Sequence, residues 1–139
     1  MNKVKLVLGV VVALLVAGLG GWLWGTSGMR AVNRALQASQ LRNDLLEARS
    51  SVLTARLDVY SVNFGEASRH LEDARAQLRL ADEQLKSLGR QDDLKRLEPA
   101  LTGIDESQRL AGQMDQSANA RAAEAAKIID DLLGTEAKR

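Results

Sequence analysis

The chain holds a single histidine, His70, with Glu66 one helical turn before it and Asp73 one turn after it. An imidazole between two carboxylates on one helix face could act as an acid–base pair or hold a divalent ion. The same spacing is also that of a solvated, salt-bridged helix surface, and without a second histidine this is the stronger reading. Asp92-Asp93 and Asp130-Asp131 fit a helix start and a polar helix face. The 139 residues include no cysteine, so there is no thiolate ligand, disulfide or cysteine nucleophile. No Gly-rich phosphate loop, nucleophile elbow or His-Glu-x-x-His occurs. The chemistry-bearing residues therefore predict no enzyme, no cofactor and no metal.

The elements that carry these residues are helices. Ala38, Leu41, Leu45, Ala48, Val52, Ala55, Val59 and Val62 alternate three and four apart, the period of an apolar helix seam. Ala67, Leu71, Ala74, Leu78, Ala81, Leu85 and Leu88 repeat the rule, and Gly89 is a natural stop. Between the two runs, Asn63 stands three residues before Glu66, the spacing of a capping box, so Asn63, Phe64, Gly65 and Glu66 form the expected hairpin turn. Folding the chain at Asn63 sets Val59 against Ala67, Ala55 against Leu71, Val52 against Ala74, Ala48 against Leu78, Leu45 against Ala81, Leu41 against Leu85 and Ala38 against Leu88. Large faces small in nearly every pair, which lets two antiparallel helices approach closely. Asp92 is the expected cap of a third helix carrying Leu94, Leu97, Leu101, Ile104 and Ala111, with a kink or short break near Arg96 to Pro99 or a new start at Pro99. A fourth helix carries Ala118, Ala122, Ala125, Ile129 and Leu132 inward and ends at Gly134. Leu46, Leu53, Leu57, Tyr60, Phe64, Leu110, Met114, Ile128 and Leu133 are then expected to join one hairpin to the other. The fold class is all-α: an N-terminal transmembrane helix and two antiparallel hairpins, with helices about 29–62, 64–88, 92–114 and 117–133 in a domain of 29–134, and a disordered tail at 135–139.

Within the second helix, Phe64, Ala67, Leu71 and Ala74 place an aromatic, an Ala, a large residue and a second Ala at the spacing of the second helix of a tetratricopeptide repeat. This stretch of eleven residues, Phe64 to Ala74, resembles that family. Ser51, Thr54 and Ala55 stand where its first-helix aromatic and Leu-Gly pair would be, and Arg79 where its closing Pro would be. The resemblance implies a helical hairpin able to bind a peptide or protein. The rest is similar to a bacterial single-pass membrane protein.

The membrane reading rests on Val4 to Gly25. Leu6 to Leu23 carries no charge, and at about 1.5 Å per residue such a run just crosses roughly 30 Å of hydrocarbon. Lys3 and Lys5 flank one side, and Trp22 and Trp24 suit the headgroup layer on the other. Gly9, Ala13, Ala17, Gly21 and Gly25 recur every four residues, a small-residue face on which another helix can pack in lipid. A cleaved signal peptide would have a shorter apolar run, so residues 1–25 read as an uncleaved anchor and 26–28 as a hinge. The basic tail leaves the amino end in the cytoplasm and the helical domain outside it, in a bacterial inner membrane.

With Lys3 and Lys5 set aside, 17 Lys and Arg face 18 Asp and Glu, which is not the basic face that nucleic acid requires. The partners expected are membrane lipid through residues 4–25 and a protein partner or a second copy, with no nucleic acid. The function expected is a non-catalytic scaffold or adaptor at the membrane surface. The alternative is an extracytoplasmic helical-bundle sensor that binds a small ligand.

Overall fold

A computed structural model describes residues 2–138, with side chains for Met29 and for residues 31–138. The chain forms four helices: α1 (Asn2–Tyr60), α2 (Phe64–Ser87), α3 (Gln91–Gly112) and α4 (Ala118–Glu136). No strand occurs among the described residues. Two compact units are distinguished, Met1–Gln37 and Ala38–Arg139, and the second is a four-helix bundle.

Each helix of the bundle buries one stripe at helix spacing. From α1 these are Leu41, Leu45, Ala48, Val52, Ala55 and Val59, and from α2 Ala67, Leu71, Ala74, Leu78, Ala81 and Leu85. From α3 they are Leu97, Ala100, Ile104, Leu110 and Ala111, with Ser107 among them, and from α4 Ala118, Ala122, Ala125, Ala126, Ile129 and Leu132. Polar pairs on the rims give the order of the helices. Asp58 and Asp44 of α1 meet His70 and Gln84 of α2, so one count falls as the other rises. Glu72 and Arg75 of α2 meet Gln108 and Asp105 of α3. Arg96 of α3 reaches Thr135, and Ser107 reaches Ala118, both on α4. Arg49 and Arg56 of α1 meet Asp130 and Asn119 of α4, closing an up-down-up-down ring.

This closure alters the expected packing of one hairpin on another. Leu46, Leu57, Tyr60 and Met114, expected between hairpins, are exposed, Leu53, Phe64, Ile128 and Leu133 are partly buried against the core, and Leu110 is buried within it. In a ring of four, each helix needs only one apolar stripe, turned to a shared centre, and a second face has no helix to meet. Ala38 is exposed, above the last core layer at Leu41. Pro99 does not interrupt α3. It removes one backbone donor, but Leu97, Ala100 and Ile104 on either side are buried in the same core, so both halves stay helical. Nor does Gly134 end α4, which runs to Glu136, where Thr135 and Glu136 are tied to Arg96 and Arg90.

All three connections are Schellman turns, in which the two N–H groups after a helix bond back to its last turn. After α1, Asn63 N–H donates to the Asp58 carbonyl at 2.8 Å and Val62 N–H to Val59 at 3.0 Å. Arg90 and Gly89 bond to Leu85 and Lys86 after α2, and Asp115 and Met114 to Leu110 and Ala111 after α3. The geometry demands a left-handed residue, supplied by Val62 (φ 61°), Gly89 (φ 67°) and Met114 (φ 58°).

Among the described residues no helix is long and apolar enough to cross a membrane. The expected anchor and hinge, with Gly9, Ala13, Ala17, Gly21, Gly25, Trp22 and Trp24, lie outside the residues described at side-chain level.

Candidate functional site

His70 pairs with neither Glu66 nor Asp73. His70 Nδ1 lies 2.7 Å from Asp58 Oδ2, a part-buried bond from α2 to α1. Glu66 instead accepts from Arg69 one turn later. Asp58 was missed because it belongs to the other helix, although its place five residues before Asn63, against seven for His70, nearly mirrors it across the turn. Among the described residues no group of three or more His, Cys, Asp or Glu is placed to hold a metal ion.

At the hairpin turn, Asn63 precedes α2 but its side chain makes no capping bond. The expected capping box fails for a local reason: the Schellman turn has already committed the Asn63 N–H to Asp58, leaving no donor for Glu66. Phe64 is part-buried and Gly65 is open, with nothing within 4 Å of an added Cβ. Asp92 likewise does not cap α3, whose preceding residue is Arg90. Its neighbour Asp93 is buried, accepting from Arg90 at 2.7 and 2.8 Å, and Arg90 also pairs with Glu136. Those bonds, Glu136's first, hold the Arg90 guanidinium above its ordinary pKa against the opposing effect of burial. Asp130 pairs with Arg49, and Asp131 is exposed.

Two surface features stand out among the described residues. A groove of about 530 Å³ between α3 and α4 is lined by Glu98, Thr102, Glu106, Arg121 and Glu124. Its floor is Gly103, where an added Cβ would lie 3.3 Å from Ala125 Cβ, so the two helices approach closely there. Glu106 pairs with Arg109 and Arg121 with Glu124, so much of this charge is internally compensated.

The second feature is apolar. The α1–α2 and α3–α4 turns lie at the same end of the bundle, since Arg56 near the end of α1 donates to Asn119 at the start of α4 at 2.9 Å. That end exposes Val62 at 61% and Met114 at 76%. Both are the left-handed residues of their turns, where a side chain costs roughly 1–2 kcal/mol of strain, more for β-branched Val. Below them Leu53, Arg56, Leu57, Tyr60 and Asn119 line a groove of about 320 Å³ between α1 and α4. Sequence reasoning assigned Val62 to the core and Met114 to a join between hairpins; the seam does reach Val62 by spacing, but the helix ends two residues earlier.

Comparison with protein-family models, with curated proteins and with solved structures gives no match.

Proposed function

We propose that this chain is a membrane-anchored, non-catalytic helical scaffold whose bundle docks a protein partner at the membrane surface. The observation that carries this reading is the pair Val62 and Met114. At the opposite end the same turn uses Gly89, which costs nothing at positive φ, whereas here two exposed apolar side chains sit at positive φ on one end of the bundle. Strain held at an exposed apolar position serves contact with something outside the chain, because within the chain it stabilises nothing. The likeness of Phe64 to Ala74 to a tetratricopeptide hairpin supports a protein ligand. The uncharged run from Leu6 to Leu23 supports anchoring, with residues 29–139 outside the cytoplasm.

Recovery of the full chain in mild detergent tests this. A stoichiometric protein should accompany the parent chain and be lost from Val62→Gly with Met114→Gly, a change that relieves strain and leaves the core alone. Equal recovery by both forms would defeat the reading. The groove lined by Glu98, Thr102, Glu106, Arg121 and Glu124 supports a second reading, a sensor for a small cationic solute held by Glu98, since Glu106 and Glu124 are already paired with arginines. In that case an amine ligand, not a protein, should raise the melting temperature of the chain.

A further inference from the structure

The outward face of α1 carries a second heptad seam that the bundle does not use. Counting three and four from Ser39 gives Asn43, Leu46, Ser50, Leu53, Leu57 and Tyr60. None of these is in the core: Leu46, Leu57 and Tyr60 are exposed, the last two at 68% and 79%, and Leu53 is only partly covered. The neighbours of α1 explain why. Asp44 and Asp58 turn to α2, Arg49 and Arg56 to α4, and Leu41 to Val59 to the core, which leaves this seam on the remaining side. In the sequence the same alternation runs back through Leu36, Val32 and Met29, all exposed. Seven of these ten positions are apolar, and a mainly apolar stripe kept at three-and-four spacing for more than three heptads is the pattern of a coiled coil.

Three features specify the occupant. First, Asn43 falls at an a position, where a single asparagine pairs with its own copy and sets the register of a parallel dimer. Second, Arg42 and Glu47 flank the seam at g and e, and in a parallel pair g meets the e position five residues on in the other chain. Arg42 of each copy then meets Glu47 of the other, and both side chains are exposed and make no hydrogen bond or ion pair among the described residues. An antiparallel pair would instead match g with g, and Arg42, Arg49 and Arg56 occupy successive g positions, so like charges would face one another. Third, the groove of about 320 Å³ beside Leu53, Leu57 and Tyr60 is apolar and lies along the seam, as a hole for the knobs of a facing helix would.

We propose that the chain forms a parallel homodimer through this outer seam of α1, with Asn43 paired across the two-fold axis and Arg42 bonded to the second copy's Glu47. The assignment does not depend on the separate protein partner proposed for Val62 and Met114, which lie off the seam.

The chain has no cysteine, so single cysteines report the register cleanly. Full-length Asn43→Cys in mild detergent should oxidise to a covalent dimer, while Glu98→Cys on α3 should give at least several-fold less. Arg42→Glu in the Asn43→Cys background should cut the crosslinked fraction several-fold, and adding Glu47→Arg should restore it. Leu36→Glu with Leu46→Glu, both away from the Val62 end, should halve the mass by light scattering without loss of helical circular dichroism, and should leave capture of a partner through Val62 and Met114 unchanged. Crosslinking of Asn43→Cys no greater than that of Glu98→Cys, crosslinks only to another protein, an unaltered mass for the double glutamate variant, or indifference to the charge reversal would each overturn the proposal.

Discussion

At the scale of single residues, the three interhelix turns compare one backbone geometry with three side chains. Gly89 adopts its positive φ freely, whereas Val62 and Met114 do so against the clash of Cβ with the following carbonyl. Val62→Gly is expected to stabilise the bundle by about 0.5–1 kcal/mol, after subtracting the extra freedom glycine gains in the unfolded chain. Met114→Gly should gain less, since Met is not β-branched. Chemical denaturation would check both, and destabilisation by either would mean that the side chains pack within the chain. The α3–α4 turn also carries a titrating contact. Ser117 N–H donates to Asp115 Oδ1 at 2.8 Å and holds its carboxyl below the usual carboxylate range. A pKa lowered on folding contributes stability that is present above the unfolded value of about 3.9 and disappears as pH falls through the folded value. Asp115→Asn should therefore flatten the stability profile below about pH 4 without altering its shape at neutral pH.

At the scale of the helix, α2 shows how closely the layers fit. Ala74 is fully buried, level with the Val52–Ala55 turn of α1 as judged from the Asp58–His70 and Asp44–Gln84 bonds. Ala74→Leu inserts three carbons there and should cost about 1–3 kcal/mol, with Val52→Ala recovering part of the loss because touching residues couple. Arg79, exposed on the same helix, should accept Leu within about 0.5 kcal/mol. Arg75 is no such control, because it bridges to Asp105 of α3 at 3.0 Å. The seams of α1, α2 and α4 were legible because leucine, valine and alanine recur there at helical spacing. The seam of α3 was only half legible. Leu94 and Leu101 drew the count toward the edge of the stripe, while Ala100 and Ser107 complete it. Ser107 is buried because its hydroxyl donates to the Ala118 carbonyl at 2.8 Å, a partner on another helix that no spacing within α3 reveals. The polar rims were illegible for the same reason. His70 could be assigned to Glu66 and Asp73 on its own helix, but not to Asp58 across the turn.

At the scale of the bundle, the two ends are built differently. The end with the α1–α2 and α3–α4 turns is apolar, strained and open, whereas the other is closed by charge. There Arg90, in the α2–α3 turn, bonds Asp93 at the start of α3 and Glu136 at the end of α4, with side chains 5% and 7% exposed on the acidic partners. Buried carboxylates are costly unless a cation and further donors satisfy them, so this cluster stabilises chiefly by the penalty that follows its loss. It also accounts for the helical course of α4 beyond Gly134, since Glu136 gains its guanidinium partner only there. Arg90→Ala removes the cation that both acids share. Its cost should lie near the lower end of the roughly 3–5 kcal/mol typical of a broken buried pair, because Arg96 remains 3.6 Å from Asp93. Arg90→Lys should recover only part, as an ammonium is a point charge and does not reproduce a fork spanning two carboxylates. Hydrogen exchange should then show residues 132–136 opening first while the Val62 end keeps its protection. Uniform loss of protection along all four helices would mean that the charged end is no separate clamp and that the bundle opens as one cooperative unit.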